Sequence, residues 1–152
     1  MEIATFTYAN TFVSLLTNGV VSMAISDTSY LLLGLAKDVI VEHPDIKKTT
    51  DKIDLYNKLM IIDNFIKNIP KDLEKNECIS LSLNSIHDIV VQINNELTLI
   101  NKIIEEHTLK YFYYFRKFDY YKQLTNIVDY KKIMDERFYI LLKLISTFNI
   151  LK

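Results

Sequence analysis

The side chains best suited to acid–base, nucleophilic or metal chemistry are few: His43, His87, His107 and Cys78. The histidines lie 44 and 20 residues apart, and none has a glutamate three positions before it. The Glu-x-x-His pairs by which helical bundles hold di-iron centres are therefore absent, and the sequence predicts neither a metal site nor a cofactor. His87 is followed by Asp88, an acid–base pair in composition, but adjacent side chains on a helix do not face each other. His107 sits in an apolar row beside Glu105 and Glu106 and reads as a core histidine, its functional version being a buried pH-sensitive group. Cys78 has no histidine within a helical turn to activate it, and Gly19 and Gly34 are isolated, so no glycine-rich phosphate loop is present. No catalytic residue is assigned, and the expectation is a protein that is not an enzyme, with a site assembled between helices as the catalytic alternative.

The chemistry that stands out is that of binding. KYFYYFRKFDYYK, residues 110–122, has eight aromatic and four basic residues among thirteen. Tyr111, Tyr114 and Phe118 continue an apolar helical row and, with Phe115, are assigned to the core. Phe112, Tyr113, Tyr120 and Tyr121 cannot all share that face, so some of them, with Arg116 and Lys117, are candidates for a binding surface. Aromatics mixed with cations stack on single-stranded bases, settle at a lipid headgroup boundary, or anchor a protein interface. Protein binding leads among these readings, because a net charge of −1 gives no long-range attraction to phosphate. A structural reading competes with all three. From residue 110 onward nine Lys or Arg stand against four Asp or Glu, whereas residues 37–106 carry nine against thirteen, so the two halves could neutralise each other by packing antiparallel.

A second binding feature is written in what is missing. TFVSLLTNGVVSMAISDTSYLLLGLA, residues 11–36, contains one charged residue, Asp27. Thr7, Thr11, Ser14, Asn18, Ser22, Ser26 and Ser29 recur at steps of three or four, placing small uncharged polar groups on one helical face. Phe12, Leu16, Val20, Met23, Leu31 and Leu35 occupy the others. A surface helix normally shows water a charged stripe. Here Ser14, Asn18, Ser22, Ser26 and Ser29 are read as a face covered by another helix, most simply that of a second copy in a homo-oligomer. Asn18, Asp27 and the hydroxyls dilute the stretch below a membrane-spanning signal, and Glu2 without a basic region ahead of the apolar run fits a secretory signal poorly.

These groups must be positioned by helices. Two glycines and two prolines in 152 residues leave too few turn formers for an all-β chain. Leu55, Leu59, Ile62, Ile66 and Ile69 recur at helical spacing, with Pro70 as the stop. Leu83, Ile86, Val90, Ile93, Leu97, Ile100, Ile104, His107, Tyr111, Tyr114 and Phe118 hold a three-four repeat through five heptads, a helix about 55 Å long. Met134, Phe138, Leu141, Ile145 and Phe148 repeat the spacing, with Asp129 as the expected N-cap and Asp135 and Glu136 near the favourable end of the dipole. The expectation is an all-α single domain, an antiparallel four-helix bundle with long first and third helices, spanning residues 6–42, 50–69, 79–118 and 129–149.

Length fits one core. A lone cysteine suits a reducing, cytoplasmic compartment. Abundant Ile, Lys, Asn, Tyr and Phe, with two arginines, point to an A/T-rich genome of the kind found in some bacteria, protists and large DNA viruses. The reading that gathers these features is a non-catalytic interaction or assembly protein, self-associating and binding a protein partner, with a peripheral membrane or nucleic-acid module built on residues 110–122 as the alternative.

Overall fold

The computed structural model describes residues 43–108 and 119–150, leaving aside the side chains at 108, 149 and 150. It is all-α: five helices and no strand among the described residues. They are α1 (Pro44–Lys52), α2 (Leu55–Lys67), α3 (Lys71–Glu74), α4 (Glu77–Thr108) and α5 (Tyr121–Ile150). The helix expected over residues 6–42 lies outside the described residues.

Pro44 opens α1 from the first helical position, where a missing N–H costs nothing, so it starts a helix as well as ending what precedes it. The single helix expected over 50–69 is in fact two. After α1 the chain passes through Asp54 at φ 50°, ψ 41°, a left-handed conformation that aspartate tolerates better than most residues. The Asp54 N–H donates to the Asp51 carbonyl at 3.0 Å, and from the α2 side the Asn57 amide donates to Asp54 Oδ1 at 2.7 Å and the Lys58 N–H to the Asp54 carbonyl at 3.1 Å, so the break is held from both sides. Asn68 closes α2, and Pro70 leads into the single turn of α3. Asn76 then caps α4: its side-chain oxygen accepts from the N–H groups of Cys78 at 3.0 Å and Ile79 at 3.4 Å.

α5 begins eight residues before the expected start. Asp129 is therefore not a cap but an exposed mid-helix residue, and Asp135 lies near the helix middle, where Lys131 donates to it at 2.6 Å. The physical reason is the apolar row, which extends backwards at the same spacing: Tyr120, Leu124 and Ile127 are buried in line with Met134, Phe138 and Leu141.

One buried cluster runs through all five helices, from Ile46 to Leu141. The expected rows in α2 and α4 form its centre, with Leu59, Ile62, Ile66, Ile86, Ile93, Leu97 and Ile100 fully enclosed. Cross-links fix the directions. Asn126 donates to Glu96 at 2.8 Å, and Arg137 donates to the Ser85 carbonyl. Advancing eleven residues along α5 retreats eleven along α4, so these helices are antiparallel. Asp45 acts on Tyr120, Lys58 pairs with Asp135 at 3.4 Å, and the Phe65 and Phe138 rings meet edge-on at 5.4 Å. These partners advance together, so α1 and α2 run alongside α5 in the same direction, and α4 opposes them.

Candidate interaction surface

Two of the candidate binding residues fall within the described structure, and they part company. Tyr120 is 9% exposed and belongs to the core cluster; burial first, and then the charge of Asp45, raise its phenol above the ordinary tyrosine range. Its expected place on a binding surface therefore gives way to a packing role. Tyr121, one residue on and turned about 100° round the helix, is 79% exposed beside exposed Lys122. Phe112, Tyr113, Arg116 and Lys117, and the Ser14, Asn18, Ser22, Ser26 and Ser29 face, lie outside the described residues.

Tyr121 starts an outward row that the sequence reading overlooked. Val128, Asp135 and Leu142 follow at steps of seven, and Tyr139 lies one helical step from Leu142. Tyr121, Val128, Tyr139 and Leu142 are all exposed. Asp135 locates this row, because its carboxylate takes both Lys58 of α2 and Lys131 of α5. The row thus runs along the margin where α5 meets α2. On the α2 side of that seam Phe65 is half-buried and Ile61 is 56% exposed, one step from Lys58 along the same face. The Lys58 ammonium also lies 5.1 Å from the centre of the Phe138 ring, so one lysine joins the acid, the ring and both helices. The signal for the outer row was present in the sequence as a second seven-residue spacing, hidden because Asp135 and Lys132 interrupt it.

Among the described residues, the ion pair between the two halves runs against the direction that the totals suggest. Lys58, from the acidic middle, pairs with Asp135, from the basic C-terminal part, while α4 and α5 are joined by an amide and by a guanidinium on a main-chain carbonyl.

The reactive side chains are separated. His87 is buried and its neighbour Asp88 exposed, so the two point apart; burial lowers the His87 pKa, and the Asp88 charge opposes this in part. His107 is buried in the α4 row, and Cys78 is exposed at the first turn of α4. No cluster of metal-ligating side chains occurs among the described residues, and no described helix is long and apolar enough to cross a membrane. Compared with protein-family models, curated proteins and solved structures, the chain matches none.

Proposed function

We propose that this chain is a non-catalytic interaction or assembly protein: an antiparallel four-helix bundle whose first helix, near residues 6–42, associates with a second copy through Ser14, Asn18, Ser22, Ser26 and Ser29. The observation that carries the reading is the single charge in residues 11–36. A helix without a charged stripe is poorly suited to stand in water, and small hydroxyl side chains let a second backbone approach closely. The other helices supply a rigid support, since their core is continuous from α1 to α5.

The basic aromatic stretch of residues 110–122 is the surface for a protein partner, with Phe112, Tyr113, Arg116, Lys117 and Tyr121 as its anchors. The exposed Tyr121 and Lys122 at its C-terminal end support this part of the reading. Aromatic and cationic side chains together are the usual anchors of protein interfaces. The lone cysteine suits action in a reducing compartment inside the cell.

Light scattering across a concentration series tests self-association, which predicts a mass that rises to twice 17.9 kDa. Replacement of Phe112 and Tyr113 by serine tests the second surface: folding is retained and partner binding weakens. Salt-sensitive binding of the unmodified protein to single-stranded oligonucleotides would replace the protein partner by nucleic acid, and binding to anionic vesicles would replace it by a membrane surface.

A further inference from the structure

The outward face of α5 carries a pattern that fits its own reverse. Thr125, Val128, Lys132, Glu136, Tyr139 and Lys143 recur at steps of three and four over about 27 Å, and all six are exposed. Among the described residues, Lys131 and Asp135 of the same helix are joined in ion pairs, whereas Lys132 and Glu136 take part in none. The exposed charges between Thr125 and Lys143 are Asp129, Lys132, Glu136 and Lys143, two of each sign, so the face has no net charge with which to draw an acidic or a basic partner. We propose that it receives the same face of a second copy, the two α5 helices lying antiparallel across a two-fold axis level with Met134.

Charge order selects this occupant and its direction. Lys132 lies two residues before Met134 and Glu136 two after it, so the axis sets the Lys132 ammonium of each copy level with the Glu136 carboxylate of the other, and the pair occurs twice. Val128, six residues before the axis, comes within one residue of Tyr139, five after it, in the second copy; the two are eleven residues apart, about three turns, and so share one line of the helix. Asp129 comes level with Tyr139 and Thr125 with Lys143, so no two like charges of the exposed face meet. A parallel copy would set Lys132 against Lys132 and Glu136 against Glu136. Exposed ion pairs contribute little, and the apolar contact is confined to Val128 and Tyr139, so this association is weak and sets in well above micromolar concentration. It is separate from the Ser14, Asn18, Ser22, Ser26 and Ser29 face proposed above and does not rest on it. With both faces in use, one copy can hold two neighbours, and dimers can join into larger assemblies.

Sedimentation equilibrium of the full chain at up to about 1 mM tests the placement, with Ser22→Arg as background so that the two faces are read apart. The mass in that background is expected to rise with concentration. Lys132→Glu and Glu136→Lys are each expected to weaken the association at least about tenfold, because like charges then meet twice near the axis, and the two changes together are expected to restore it, with helical circular dichroism unaltered throughout. Should Ser22→Arg fail to fold, the same charge series in the otherwise unmodified chain decides. A Ser22→Arg chain that associates like the unmodified one would remove the serine face and leave this one standing. Single charge reversals without effect, a double reversal that fails to restore association, or a chain monomeric up to about 1 mM would overturn the proposal. Cysteines fix the register: with Cys78→Ser as background, a mixture of Val128→Cys and Tyr139→Cys chains is expected to form mixed disulfide dimers on mild oxidation, whereas Val128→Cys chains alone, with sulfurs about 18 Å apart along the pair, are expected not to link. Linking of Val128→Cys to itself as readily as to Tyr139→Cys would overturn the antiparallel arrangement.

Discussion

α4 and α5 are nearly equal in length, 32 and 30 residues, and differ in how many of their faces are apolar. α4 has one buried row, and its strongly exposed large apolar residues, Leu81 and Leu99, stand far apart on an otherwise polar side. The described helices are enough to satisfy it. α5 has the same kind of inward row and, in addition, the outward row of Tyr121, Val128, Tyr139 and Leu142. The difference teaches that a helix can be fully engaged on one side and still present a second apolar row, here along its margin with α2.

The largest expected effect is at the closed face. Ile93→Asp or Leu97→Asp places a charge at a fully enclosed position of α4, and should cost about 4 kcal/mol or more, enough to unfold a domain of ordinary stability. Unchanged melting by circular dichroism would mean that the seam is not the core. Next comes the bond between the two helices. Arg137→Ala removes the donor to the Ser85 carbonyl, and a loss of about 1–3 kcal/mol in urea unfolding is expected, with Asn126→Ala nearer the lower end because its partner Glu96 keeps access to water.

The open face gives the sharper contrast. Tyr139→Lys should destabilise by about 1–2 kcal/mol if the row is covered, and by less than about 0.5 kcal/mol if it faces water. Leu99→Lys, on the polar side of α4, should fall in the second class whatever covers α5. Equal effects at the two positions would erase the distinction between the helices.

The smallest expected effect concerns pH. His87 is buried on α4 and its pKa lies below the ordinary value of 6.5, so below that pH the unfolded chain binds the proton that the folded chain resists. Stability therefore declines as pH falls from about 6.5 towards the folded value. His87→Gln should flatten that part of the profile, and an unaltered acid limb would show that other groups set it. Tyr120 acts at the opposite end: its raised pKa means stability falls as pH rises above 10.

What the sequence made legible was burial with a single strong period. The rows Leu55 to Ile69 and Leu83 to His107 are buried as their spacing requires, because apolar residues at steps of three and four have one place to go. Local signals were weaker guides. Asp129 has the chemistry of a cap, yet the row beginning at Tyr120 continues past it, and burial of Leu124 and Ile127 outweighs one unused capping side chain. The break at Asp54 carries no glycine or proline and depends on aspartate tolerating a left-handed turn. The partition of Tyr120 from Tyr121 was readable in principle, by extending the Met134 row backwards. The outer row was obscured because its middle position is an aspartate whose ion pairs, not its polarity, define its surroundings.

The central claim is that the uncharged helix turns its serine and asparagine face to a second copy. Ser22→Arg tests it most directly, since it sets a bulky charge at the middle of that face, and in a symmetric pair the charge appears twice near the axis. The account predicts that light scattering at micromolar concentration gives a dimer for the unmodified chain and a monomer for Ser22→Arg, with identical helical circular dichroism. An unmodified chain that stays monomeric at every concentration, or a variant that unfolds because Ser22 lies inside its own bundle, would contradict it.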